Sequence, residues 1–207
     1  LYRLKEIQFG DNQLTQIILP DSTANNNWGC NDPVGSWGYH NYCGIRVDLY
    51  NNQLTSFTVP ADIKITRLYL QDNPLNYLDV SNAWSMSKIY LSNSNLTSID
   101  LSALNYLDIM DLYNNDSLQS IDLKNKTRLE GVYISDNDIL SDFDFRNVNL
   151  ININSHNFTN NPQLTCISVS DTLVSNILLD QIDPWCSFSL NCTGLGCMDP
   201  NALNYDP

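Results

Sequence analysis

Apolar residues recur along this chain with a long fixed period, not with the 3.6-residue period of a helix or a simple alternation. The segment Ile65-Thr66-Arg67-Leu68-Tyr69-Leu70-Gln71-Asp72-Asn73-Pro74-Leu75 sets the pattern, apolar at 65, 68, 70 and 75 with an amide at 73. The same register returns around Asn12, Asn52, Asn73, Ser94, Asn115, Asn137 and His156, and the steps from Asn52 to Asn137 measure 21, 21, 21 and 22 residues. Three residues before the first strand apolar of each copy stands a further column, Leu4, Gly44, Ile65, Met86, Leu107, Leu129 and Val148, in which only the glycine is out of type. Beyond the amide comes an apolar pair two residues apart, as in Ile17/Leu19, Phe57/Val59, Leu78/Val80, Ile121/Leu123, Phe143/Phe145 and Ile167/Val169. A period of this length belongs to a stacked repeat, in which one copy cannot bury its apolar face alone and neighbours bury it together.

Each copy predicts one coil with two short extended segments, little helix and a core of stacked apolar columns. The amide has a definite task at the bend after the first segment. Backbone groups there would otherwise be left unpaired in the interior, and an Asn side chain can satisfy both N–H and C=O. Ser94 and His156 are expected to be weak rungs of this ladder. The outward positions between the strand apolars form the row Gln8, Asp48, Tyr69, Tyr90, Asp111, Tyr133 and Asn152. Its members should lie side by side, about 4.8 Å apart.

The template LxxLxLxxNxLxxLxL resembles the leucine-rich repeats, and the resemblance covers roughly residues 1–169. It implies a β-rich solenoid of about seven coils of about 21 residues, with short parallel strands lining a concave face. It also implies a secreted or cell-surface module that grips a protein or glycan on another surface. A structural spacer in a long surface protein or fibre is the alternative.

Two stretches depart from the period. Asn12 and Asn52 stand 40 residues apart, so about 19 residues are inserted within 21–43. That loop carries Trp28, Trp37, Tyr39 and Tyr42 between Cys30 and Cys43, which are expected to be bonded. A disulfide closing so short a loop contributes about 3 kcal/mol by restricting the unfolded chain. Rigid Trp and Tyr on a pinned loop suit either ligand contact or a cap over the first coils. The second departure lies between His156 and Leu164, where about six extra residues are expected.

From residue 170 to 195 the repeat gives way to an expected cap, with a short helix at Leu173–Ile182 and a disulfide from Cys166 to Cys192. The stretch Asn161-Pro162-Gln163-Leu164-Thr165-Cys166-Ile167 is similar to the caps that end repeat arrays in bacterial surface proteins. Residues 196–207 are similar to the start of a Cys- and Asp-rich module, GCxDPxAxNYDP, and read as a truncated copy within a larger protein. Cys186 and Cys197 then form the remaining pair, or Cys197 pairs beyond Pro207 and Cys186 stays single.

Composition narrows the partner. Lys and Arg number 10 against 23 Asp and Glu, a net charge of −13, and no basic stripe can be built for a nucleic acid. An even count of six cysteines without CxxC pairs, and with only His40 and His156 beside them, points to disulfides and an oxidising compartment rather than to zinc. No apolar run approaches the roughly 20 residues that span a bilayer. Nucleophile elbows, phosphate loops, HExxH pairs and EF-hand loops are missing from the sequence, so the chain reads as a non-enzyme with no cofactor.

Four sets of residues remain as candidates. Tyr69, Tyr90 and Tyr133, with Asp48, Asp111, Arg67 and Lys88, mark the strand face, and Trp28 and Trp37 mark the loop. The recurring Asp79, Asp100 and Asp122 are either a carboxylate row for a metal or solvated turn positions. The Asp199–Asp206 tail offers carboxylates for Ca²⁺, a third functional reading.

Overall fold

The computed structural model describes residues 5–19, 44–61, 63–171 and 181–192. It is a parallel-strand β-solenoid of about six turns with almost no helix. The first face is a seven-stranded parallel sheet of β1 (Glu6–Gln8), β2 (Ile45–Asp48), β4 (Ile65–Tyr69), β6 (Lys88–Tyr90), β7 (Ile109–Asp111), β9 (Gly131–Tyr133) and β11 (Ser155–Asn157), in that spatial order. A second face is split in two. β3 (Ser56–Thr58) pairs with β5 (Tyr77–Asp79), while β8 (Ser120–Asp122), β10 (Asp142–Asp144), β12 (Cys166–Ser168) and β13 (Ser187–Ser189) form a four-stranded sheet. Residues 98–100, at the equivalent place between them, form no strand.

Strand formation follows from stacking. Val47, Leu68, Ile89, Met110 and Val132 point inward in register, each fully buried, and Leu49, Leu70, Leu91, Leu112 and Ile134 repeat this two residues on. Phe143, Phe145 and Phe158 close the C-terminal end of the core in edge-to-face and tilted contacts, 5.0–5.9 Å between ring centres. Gly44 breaks the apolar column because its Cβ position is filled by the Thr66 methyl group and lies 2.7 Å from the Lys64 carbonyl oxygen. A lysine enters this layer of the core: Lys126, 7 % exposed, occupies the turn position that holds Ala83 and Leu104 in earlier coils, its Nζ donating to the Ser102 carbonyl at 3.3 Å.

The amide ladder stitches coil to coil. Asn73 Nδ2 donates to the Leu70 carbonyl of its own coil (3.0 Å) and to Leu49 of the preceding one (2.9 Å), while its Oδ1 accepts from Leu54 N–H (3.0 Å). Asn52 repeats the scheme with Leu49, Phe9 and Leu14. Ser94 is buried at the same place, and its hydroxyl makes no hydrogen bond.

The ladder's last rung differs from the expectation. His156 is not a rung; it lies on β11 opposite Val132, at an inward strand position. Asn161 is the rung, fully buried, donating to Ile134 and Phe158 carbonyls and accepting from Asn137 N–H at 3.1 Å. The step from Asn137 is thus 24 residues, and the extra ones precede β11, around a 3-10 turn at Leu150–Asn152. Ile153, not Val148, consequently sits three residues before the strand position of that coil, 4 % exposed. The extra residues therefore do not lie between His156 and Leu164.

The C-terminal segment adds to the repeat as well as covering it. β13 extends the second sheet beside β12, Ile182 bridges to Phe158, and Asp183 accepts from the N–H groups of Asn160 and Asn161, both at 2.8 Å. A carboxylate can end the ladder because a terminal rung needs only to accept. The Cys166–Cys192 disulfide fastens this segment to β12. Cys186 is a buried free thiol among the described residues. The Cys30–Cys43 pair, Cys197, the 21–43 loop, most of the expected Leu173–Ile182 helix and the 196–207 tail lie outside the described residues.

Candidate binding face

The outward side chains of the first sheet form one row in strict register. Gln8, Asp48, Tyr69, Tyr90, Asp111 and Tyr133 are neighbours in turn, as expected. The seventh member is Asn157, not Asn152, which the 24-residue step carries off the sheet into the 3-10 turn. On one flank Arg46, Arg67 and Lys88 are neighbours, followed by Ile109.

Within the row the side chains hold one another. Arg46 grips Asp48 through one guanidinium edge, Nε to Oδ1 and Nη2 to Oδ2 at 2.7 Å each, and its Nε lies 3.2 Å from Glu6 Oε1. The hydrogen bond to Asp48 raises the Arg46 pKa above the ordinary arginine value. The same guanidinium lies over the Tyr69 ring at 4.6 Å from its centre. Tyr69 in turn stacks on Tyr90, with ring centres 4.7 Å apart and planes within 5°. Burial pushes the Tyr90 phenol pKa upward, assisted by the neighbouring Tyr69 and Asp111. Burial likewise raises the Asp111 carboxyl, opposed by hydrogen bonds from Tyr113 N–H (3.0 Å) and Ser92.

This stacking decides what the tyrosines can offer. The faces of Tyr69 are covered by Arg46 on one side and Tyr90 on the other. Tyr69 therefore shows solvent its ring edge, which carries positive quadrupole, and its hydroxyl group. Sequence alone predicted the row but not this orientation, since ring planes depend on the guanidinium that covers the first of them. Trp28 and Trp37 lie outside the described residues.

The carboxylates Asp79, Asp100 and Asp122 recur on the second face, joined there by Asp144. Each accepts the backbone N–H two residues on, from Ser81, Ser102, Lys124 and Arg146, at 2.8–3.0 Å. Hydrogen bonds from Ser81 and Ser102 lower the pKa values of Asp79 and Asp100, and the Arg146 guanidinium lowers that of Asp144. They are turn caps. Among the described residues no cluster of three or more His, Cys, Asp or Glu side chains is placed to hold a metal ion, and no helix is long and apolar enough to cross a membrane.

Sequence reading missed a second, solvent-side ladder. The residue before each rung has positive φ, from 50° to 61° at Asp11, Asn51, Asp72, Asn93, Asn114, Asp136 and Asn160. Asn and Asp tolerate that conformation best among residues with a side chain. Their side chains link across coils: Asn51 to Asp11, Asn93 to Asp72, Asn114 to Asn93, and Asn160 to Asp136, at 2.7–3.0 Å. The signal was present as an Asp or Asn preceding every rung.

No protein-family model matches this chain, and a search of curated proteins returns no match either.

Proposed function

We propose that the chain is an extracytoplasmic recognition module of leucine-rich-repeat type, which binds a protein or glycan ligand on another surface through the outward face of its seven-stranded sheet. The observation that carries this reading is the Arg46–Tyr69–Tyr90 stack, anchored on Asp48 and presented on a rigid sheet. Side chains already held in one arrangement lose little entropy when a ligand arrives, so their hydrogen-bonding capacity goes into affinity. The disulfide between Cys166 and Cys192 supports an oxidising compartment. The reading is of a binding protein, not of an enzyme, and it places the chain within a larger surface protein.

The test is a screen of purified protein on a glycan array and a panel of surface proteins, alongside Tyr69→Ala/Tyr90→Ala/Tyr133→Ala. A ligand bound by the parent and lost in the variant, with melting still cooperative, is expected. Retention of binding by the variant would remove the strand face from the proposal and direct attention to Trp28 and Trp37. Absence of any ligand would favour a spacer.

A further inference from the structure

The centre of the strand face carries two cations that form no ion pair among the described residues, although Lys88 is near enough to Asp108 to favour its ionised form. Arg67 and Lys88 are register neighbours on β4 and β6, directly beside the stacked pair Tyr69 and Tyr90. The carboxylates around them are committed elsewhere. Glu6 and Asp48 hold Arg46, Asp108 faces Arg128 at 3.3 Å, and Asp111 accepts from Tyr113 and Ser92. Two adjacent cations without an ion pair are unexpected in a chain with 23 acidic and 10 basic residues.

The tyrosines add to this field rather than oppose it. Their exposed edges and hydroxyl hydrogens are the positive parts of the ring, and they stand next to the two cations. Arg67 is near enough to Tyr90 to favour its ionised form. A guanidinium, an ammonium and two phenol hydroxyls converging on one patch form a donor set for an oxyanion.

We infer that Arg67, Lys88, Tyr69 and Tyr90 form an anion subsite that takes the carboxylate or sulfate groups of an acidic polysaccharide; the inference rests on the recognition reading above and names its ligand class. A polysaccharide is favoured over an acidic peptide because Tyr69 at the centre of this face is stacked between Arg46 and Tyr90 and offers a ligand its edge and hydroxyl, not an open apolar surface. Of the large exposed apolar side chains among the described residues, Tyr113 follows β7 and Phe9 follows β1 at the edge of the sheet, while Tyr77 lies on β5 of the second face. Protein interfaces draw most of their energy from aromatic and arginine side chains buried in fitted pockets, whereas a flat sheet of hydroxyls and cations matches a hydrated, hydroxyl-rich chain. The net charge of −13 does not preclude this. At physiological ionic strength the screening length is about 8 Å, so acids on other faces act weakly at the subsite.

The experiment immobilises polygalacturonate, heparin, dextran and poly-glutamate and measures binding of the parent, of Arg67→Gln/Lys88→Gln, and of Lys5→Gln/Lys124→Gln, which removes equal charge away from the subsite. The expected result is binding to polygalacturonate or heparin but not dextran, weakened at least about tenfold by R67Q/K88Q and by added salt, and nearly unchanged by K5Q/K124Q. A stronger response to one polyanion identifies carboxylate or sulfate as the preferred group. Equal binding to dextran, lost in the triple tyrosine variant, would overturn the anion subsite while leaving the strand-face reading standing. Binding to poly-glutamate alone would overturn the polysaccharide assignment. Equal losses in the two charge variants, or no binding to any of the four, would overturn the inference itself.

Discussion

Exchanging the side chains of two rungs tests the ladder directly. Asn73 makes three short buried bonds, to Leu49 and Leu70 carbonyls and from Leu54 N–H, and a longer one of 3.3 Å to Gln71. A serine there reaches none of these partners, as Ser94 demonstrates one coil later. At about 1 kcal/mol net for each short bond, with a further contribution for the groups left unpaired, Asn73→Ser should cost about 3–4 kcal/mol. For a protein of this size that lowers the melting temperature by about 10 °C. The reverse change has a local partner waiting. Leu75 N–H, which has no rung amide to donate to, turns back to the Asn73 carbonyl two residues away at 2.7 Å, and the buried Ser94 hydroxyl is idle. Ser94→Asn should therefore stabilise the protein by about 1–2 kcal/mol. Calorimetry of both variants decides the matter. A loss under 3 °C for N73S, or a lower melting temperature for S94N, would refute the view that rung amides carry coil-to-coil cohesion.

Three further outcomes follow from other parts of the solenoid. The Cys166–Cys192 bond closes a separation of 26 residues, so Cys166→Ser/Cys192→Ser should lose about 3.5 kcal/mol in urea titration, and an unchanged midpoint would mean the segment holds without it. The Cys186 thiol, its pKa pushed up to about 12 by burial and then by Asp183, should resist iodoacetamide at pH 8 until the protein is unfolded, as mass spectrometry of the alkylated peptide will show. Burial lowers the Lys126 pKa, so the folded state releases its proton first. Stability should then rise with pH between that lowered value and the ordinary lysine pKa, and Lys126→Met should remove the rise while adding about 1–2 kcal/mol at neutral pH; a flat parent profile in that window would contradict the assignment.

Much of the architecture was legible because a solenoid writes its fold into its period. The inward columns, the rungs from Asn12 to Asn137, the tyrosine row and the Cys166–Cys192 bond all sit where spacing placed them. Register failed at one place, where Asn147, Asn149, Asn152, Asn154, Asn157, Asn160 and Asn161 offer several candidate rungs within 15 residues. The local letters could not choose among them. Phe158 chooses: its ring fills the space between Phe143 and Phe145, which fixes β11 and makes Asn161, three residues on, the rung. That contact joins residues more than ten positions apart and has no signature in a 21-residue template.

The binding face shows the same division at the level of chemistry. A period can place Tyr69 beside Tyr90 and Arg67 beside Lys88, because register is a matter of counting. Counting cannot reveal which of three adjacent cations is already neutralised. Arg46 is, by Asp48 and Glu6, because β1 and β2 bring those two carboxylates to it; the equivalent carboxylate position beside Arg67 and beside Lys88 is held by a tyrosine. The replacement of Asp48 by Tyr69 and then Tyr90 along one row converts a closed ion pair into a patch with donors to spare. Introducing Tyr69→Asp should close that patch on Arg67 as Asp48 closes on Arg46, abolishing capture of the acidic polysaccharides while the fold is kept. If capture survives Tyr69→Asp with native melting, the donors that matter lie elsewhere on the face.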